Sequence, residues 1–131
     1  MIIVCADIED QIMSLQKKDQ EEFMLESGIK STGLDNLIRA GYKTLGLNTF
    51  FTSGPEESRA WTIEKNSKAA DAAGVIHTDF KKKFIRAETT SHKDFIKYKG
   101  FSECKDAGKL RLEGKDYLVN DGDVMYFRVG S

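Results

Sequence analysis

Hydrophobic positions recur at two different periods along the chain, and the period changes at Gly46. Ile2, Ile3, Val4 and Cys5 form a short apolar run rich in β-branched residues, which predicts a buried strand. Ile8, Ile12 and Leu15 follow at helical spacing, Phe23 and Met24 sit inside an acidic stretch, and Gly28 closes that segment. Ser31-Thr32-Gly33 offers an N-cap, with Asp35 placed to favour a helix start. Leu34, Leu37, Ile38, Tyr42 and Leu45 then share one helix face, and Gly46 suits the position just past its end.

Beyond Gly46 the pattern turns strand-like. Thr49-Phe50-Phe51-Thr52 and Arg59-Ala60-Trp61-Thr62-Ile63 predict a hairpin around Ser53-Gly54-Pro55. Asn66-Ser67 is expected to cap a helix whose inner face carries Ala69, Ala72, Ala73, Ile76 and Phe80. Phe84 to Thr89 predicts a third strand, with short helical turns at Asp94–Tyr98 and Cys104–Lys109. Lys109–Glu113 and Lys115–Val119 flank Gly114 as a second hairpin, and Asn120-Asp121-Gly122-Asp123 turns the chain into a strand ending at Val129. The order predicts a mixed sheet around one main helix, an α+β fold of the β-grasp, ubiquitin-like kind. The first 46 residues carry too little apolar area for a core of their own, so the expected division is 1–46 and 47–131.

Composition narrows the class. At 131 residues, 40% hydrophobic and 31% charged, the chain can build one small core. No apolar run approaches the roughly 18 residues of a membrane span, and the opening run is too short for a signal peptide. Cys5 and Cys104 have neither disulfide nor metal spacing. A small cytoplasmic protein is expected. The net charge of −1 hides an asymmetry. Residues 1–27 hold seven acids against two lysines, a net of −5, whereas residues 81–115 hold eleven bases against five acids, a net of +6. The asymmetry fits two solvated faces or two partner surfaces.

The chemistry-bearing residues do not converge on a catalytic set. Gly41 and Gly46 have phosphate-loop spacing, but Leu47 stands where lysine is required. His77 and Asp79 lie two apart on a predicted helix and do not face each other, so His77 is expected at the surface or as a cap. Cys104 sits in a polar, lysine-flanked stretch, a setting that lowers a thiol pKa, with no histidine nearby in sequence. Asp121 and Asp123 read as turn residues. No enzyme and no metal set are expected in this chain. Phosphate contact is the remaining chemistry: Lys81, Lys82, Lys83, Arg86, Lys93 and Lys97 form a positive stretch interleaved with Phe84, Phe95, Tyr98 and Phe101. Phe84 and Phe95 are expected in the core, which leaves the bases as the candidate contacts.

Several segments together resemble the C-terminal part of the YchF family, the Obg-like ATPases. They are Gly54-Pro55-Glu56-Glu57-Ser58-Arg59-Ala60-Trp61-Thr62-Ile63, Ala72-Ala73-Gly74-Val75-Ile76-His77-Thr78-Asp79-Phe80, Phe84-Ile85-Arg86-Ala87-Glu88, Ala107-Gly108-Lys109-Leu110-Arg111 and Asp121-Gly122-Asp123-Val124. Their order and spacing are similar to that family's TGS domain, a ubiquitin-like module also found in threonyl-tRNA synthetases and SpoT-type proteins. Ile3-Val4-Cys5-Ala6-Asp7-Ile8-Glu9 resembles the last strand and following turn of the family's nucleotide-binding domain, and Leu34–Tyr42 its linker.

The resemblance implies a translation-associated ATPase or GTPase that binds ribosomes and nucleic acid, using ATP or GTP with magnesium in its full-length form. The phosphate loop, switch regions and base-specificity motif of the family are not in this sequence. Cys5 and Ala6 would correspond to the segment near the nucleotide base and are not expected to hold a nucleotide alone, so no cofactor is expected for this chain. The expected role is docking on a ribosome or RNA through Lys81, Lys82, Lys83, Arg86, Lys93 and Lys97. The alternatives are a protein-interaction module that contacts the missing ATPase domain or another protein, and residual nucleotide binding. Ile2–Cys5, as a strand without its sheet, is expected to be disordered or to pair with a second copy in a homodimer.

Overall fold

A computed structural model describes residues 3–130. The chain divides into two units, Met1–Leu45 and Gly46–Ser131.

The first unit is helical: α1 (Ala6–Ser14), α2 (Lys17–Glu26) and α3 (Gly33–Leu45). Thr32 Oγ1 accepts from the Asp35 amide at 3.1 Å, so the predicted cap forms one residue before α3. Gly46, at φ +64°, supplies the left-handed residue that ends that helix. Glu9 of α1 reaches the start of α3, where Oε1 accepts the Gly33 amide at 2.6 Å. A Cβ at residue 33 would lie 2.8 Å from Val4 Cγ1 and 2.9 Å from that same carboxylate oxygen, so a larger residue there would have to displace one of these side chains. The expected strand is not found in the described part of Ile2–Cys5: Ile2 lies outside the described residues, and Ile3, Val4 and Cys5 are irregular and exposed, Cys5 serving as the N-cap residue of α1. A strand is held by ladder hydrogen bonds, and the described residues of this unit contain no second strand to supply them.

In the second unit five strands form one sheet: β1 (Leu47–Ser53), β2 (Ser58–Glu64), β3 (Phe84–Ser91), β4 (Arg111–Glu113) and β5 (Asp123–Val129). Their order is β2-β1-β5-β3-β4, with β1 and β5 parallel and the other pairs antiparallel. This is the β-grasp arrangement, with α4 (Ala69–Ile76) across one face. Alternation along the strands sorts side chains to two faces. Phe50, Ile63, Ala87 and Met125 point inward and meet Ala69 and Ala72 of α4, with Trp61, Phe84 and Phe127 around them. Phe127 meets Phe50 edge to face at 5.9 Å and Phe84 at 6.1 Å, so Phe84 is a core ring. One extra residue, Ile85, bulges from β3: Phe84 pairs with Val129, and Arg86 with the adjacent Arg128.

Two expectations give way to one cause. Asn66-Ser67 does not cap α4, and Lys115–Val119 does not pair with Lys109–Glu113. Instead the irregular segment 115–119 runs past the start of α4. There the Tyr117 carbonyl accepts the Ala69 amide at 2.8 Å and the Lys115 carbonyl accepts the Ala70 amide at 3.2 Å. The amides a side-chain cap would have served are thus satisfied by backbone. β4, released from a local hairpin, pairs with β3. The predicted long helix also breaks. His77 turns extended at φ −156° and its Nδ1 accepts the Asp79 amide, which starts α5 (Thr78–Lys82) and confirms the capping expectation.

The remaining helices, α6 (His92–Tyr98) and α7 (Phe101–Asp106), lie against the outer face of the sheet. His92 approaches Phe51 at 5.2 Å, Phe95 packs on Phe101 at 5.1 Å, and Phe101 on Tyr126 at 6.4 Å. Phe95 is therefore a packing ring, as expected. Cys104 is fully buried in α7, in contrast to the polar setting its neighbours in sequence suggested, because the helix turns it inward while Lys105 stays exposed.

Two substitutions test this packing in chemical denaturation. Phe50→Ala should cost about 3–5 kcal/mol, the usual range for truncating a fully buried ring. The Thr90 hydroxyl is buried without a hydrogen-bond partner among the described residues. Thr90→Val should therefore stabilise the protein by about 1 kcal/mol.

Candidate nucleic-acid interface

The six bases singled out in the sequence occupy three elements. Lys81 and Lys82 lie on α5, Lys83 follows as its C-cap, and Arg86 stands on the outer face of β3. Lys93 and Lys97 lie on α6. Lys83 and Arg86 lie at the start of β3, with Lys81 and Lys82 just before it on α5, whereas Lys93 and Lys97 follow the other end of that strand on α6.

Their electrostatic states differ. Lys81 Nζ is 2.6 Å from Asp71 Oδ1, and its stem rests on Gly74, where an added Cβ would lie 3.2 Å from Lys81 Cβ. It is a half-neutralised, seated side chain. Lys97 Nζ stands 5.0 Å from the Tyr98 ring centroid. Lys82, Lys83, Arg86 and Lys93 are exposed and have no ion-pair or ring partner among the described residues. An unpaired surface cation is the group best placed to exchange water for phosphate.

Two further residues belong to this surface. Arg128 and Tyr126 alternate outward on β5, the guanidinium carbon 4.5 Å from the Tyr126 ring centroid. Arg128 Nε donates to Glu88 Oε1 at 3.0 Å, and this bond holds the guanidinium above its already high pKa. The outward alternation of Val124, Tyr126 and Arg128 is visible in the sequence, but their meeting with Arg86 depends on strand register.

Asp121 and Asp123, read as turn residues, do serve the turn and also do more. Asp121 Oδ1 accepts the Thr49 amide at 2.7 Å, tying the loop to β1. Asp123 is buried and accepts from Arg111 Nη2 at 3.2 Å, Tyr117 Oη at 2.8 Å and the Asn120 amide at 2.9 Å. Burial, then the bond to Asp123 and its charge, push the Tyr117 phenol up to about 12. This network is structural, holding β4, the 114–122 loop and β5 together.

Cys5 and Ala6 are exposed at the start of α1, whose first turn carries Asp7 and Glu9. Acids at a helix start oppose phosphate. Among the described residues no cluster of three or more His, Cys, Asp or Glu side chains is arranged for a metal ion. No helix among them is long and apolar enough to cross a membrane.

The comparisons with known proteins decide the family. The model YchF-GTPase_C, described as a protein of unknown function (DUF933), matches residues 47–130. The chain belongs to the YchF family. It is 55% identical over 127 residues to the ribosome-binding ATPase YchF of Escherichia coli O157:H7, covering 97% of this chain and 35% of the relative. Identity to the protein of the same name from Bacillus subtilis (strain 168) is 51% over 128 residues, covering 98% and 35%. The chain thus spans about a third of the length of these curated relatives. In three dimensions it resembles the Schizosaccharomyces pombe YchF GTPase with a TM-score of 0.80 at 35% identity, covering 95% of this chain and 33% of that one. A GTP-binding protein from Pyrococcus horikoshii OT3 shares the fold, with a TM-score of 0.54 at 22% identity over 79% of this chain and 27% of that one.

The Asp123 network yields a pH test. Tyr117 is neutral in the folded state to a higher pH than in the unfolded chain, whose phenol titrates near 10.0. Its contribution is complete below pH 10 and is lost as pH rises toward about 12. Tyr117→Phe should lower stability at pH 7 by about 1–2 kcal/mol. It should also flatten the fall in stability between pH 10 and 12 measured by urea titration.

Proposed function

We propose that this chain is the docking portion of a ribosome-binding protein of the YchF family and meets ribosomal RNA through its basic surface. The supporting observation is a group of exposed cations close together in the chain, Lys82, Lys83, Arg86 and Lys93, with no ion-pair partner among the described residues. Arg111, Arg128, Lys68 and Lys81, by contrast, all have carboxylate partners. The names of the Escherichia coli and Bacillus subtilis relatives agree with such a role. On this reading the chain itself performs no hydrolysis, since it lacks a phosphate loop. ATP or GTP hydrolysis would belong to the remaining two thirds of a full-length relative, and the compartment would be the cytoplasm.

A second reading has its own observation. Helix α3 leaves Leu34, Leu37, Ile38 and Leu45 half or more exposed on one helical stripe. Such a stripe suits a protein partner, and the nucleotide-binding region present in longer family members is the natural occupant.

Co-sedimentation of the 131-residue chain with ribosomes across a salt series separates the two readings. With about five phosphate contacts, log affinity should fall against log salt with a slope of roughly −3.5 to −4.5. Joint Lys82→Glu and Lys83→Glu substitution should abolish pelleting. Pelleting that ignores both salt and these charges, but is lost on Leu37→Glu, would replace RNA docking by the apolar reading.

A further inference from the structure

Arg86 on β3 and Arg128 on β5 stand directly opposite each other on the outer sheet face. Like charges in that position destabilise a strand pair, so the arrangement has a cost in the free protein. Only one of the two is compensated. Glu88 engages Arg128 through Nε at 3.0 Å, which leaves the terminal guanidinium nitrogens open. Arg86 has no partner among the described residues.

The surroundings describe what would compensate the pair. The Arg128 guanidinium lies 4.5 Å from the centre of the Tyr126 ring, and Phe101 braces that ring edge-on at 6.4 Å. Tyr126 remains 41% exposed. Leu112, in register with Glu88, and the bulged Ile85 add exposed apolar surface on either side. Two forked cations beside an aromatic–guanidinium pile match a ligand that carries a phosphate next to a flat ring. Unpaired RNA offers that combination at every nucleotide. A duplex buries its base faces, and a protein carboxylate leaves the pile unused.

We propose that Arg86 and Arg128 together bind one phosphodiester of unpaired RNA, and that the adjoining base stacks on the Tyr126–Arg128 pile. The proposal rests on the RNA-docking reading above and gives it a site. Glu88 acts as the positioning residue, fixing the guanidinium through Nε so that its outer edge faces the phosphate.

The test is fluorescence anisotropy of a labelled ten-nucleotide oligouridine with the 131-residue chain, run beside an RNA duplex of equal length. Arg86→Thr should weaken oligouridine binding about tenfold and reduce the salt slope by about 0.7, the share of one single-strand phosphate contact. Because it removes the cross-strand repulsion, the same variant should melt at or above the parent's temperature, which separates lost binding from lost folding. Tyr126→Phe should bind within twofold of the parent, and Tyr126→Leu should bind about 5- to 30-fold more weakly. Three results would overturn the site: no oligouridine binding by the parent at low salt, Arg86→Thr binding within twofold of the parent, or duplex bound as tightly with the same dependence on Tyr126. If Lys82→Glu with Lys83→Glu abolishes ribosome pelleting while Arg86→Thr and Tyr126→Leu change neither measurement, the docking reading stands and the sheet-face site falls. If oligouridine binds as described but ribosomes do not pellet with the chain, the site stands and the ribosome is not its target.

Discussion

The close seating of α4 on the sheet is the constraint from which the rest of the second unit follows. Ala69, Ala72 and Ala73 are fully buried, and their small side chains let the helix approach strands that carry Phe50, Met125 and Phe127. Large groups sit on the sheet and small ones on the helix, so the two layers approach closely. That closeness fixes the inward parity of β1, β3 and β5, and fixing one parity fixes the other. Every residue between the inward positions is turned to the outer face, where α6 and α7 cover one part and leave Arg86, Tyr126 and Arg128 outside.

The two faces have accordingly been put to different uses. The inner face is closed and apolar but for the Thr89 hydroxyl. The outer face is divided at Tyr126, with Phe101 packed on one side and Arg128 stacked on the other. A ring at such a boundary is rigid because a core holds it, yet accessible because the core stops there. The family relationship gives this asymmetry a context: longer relatives carry further chain, and a module that leaves one half-face charged and open has a surface to spare for a partner.

Local signals in the sequence were legible where the structure is local. Thr32 as a cap, Gly46 at a helix end, His77 as a capping histidine and the alternation of β1 and β5 all rest on neighbours a few residues apart. What could not be read was partner choice over distance. The apparent second hairpin around Gly114 is locally reasonable, but residues 115–119 are recruited by the start of α4 and β4 by β3. The opening run looks like a strand because its residues favour one, and for its described part, Ile3–Cys5, the described residues of that unit offer no strand to pair with. The candidate surface shows the same limit. Arg86 stood out in a run of bases, whereas Arg128 lies far along the chain and joins it only through register.

The bulge at Ile85 gives the chain an uncommon kind of tolerance. Its side chain is 61% exposed, so many residue types would serve there. The extra residue is taken up by the bulge, so Phe84 turns inward onto Phe127 while Arg86, two places on, turns outward. Removing that one residue would make Phe84 and Arg86 consecutive, and simple alternation would still send the ring to the core and the cation to the outer face. At this point the molecule is indifferent both to spelling and to the loss of one letter.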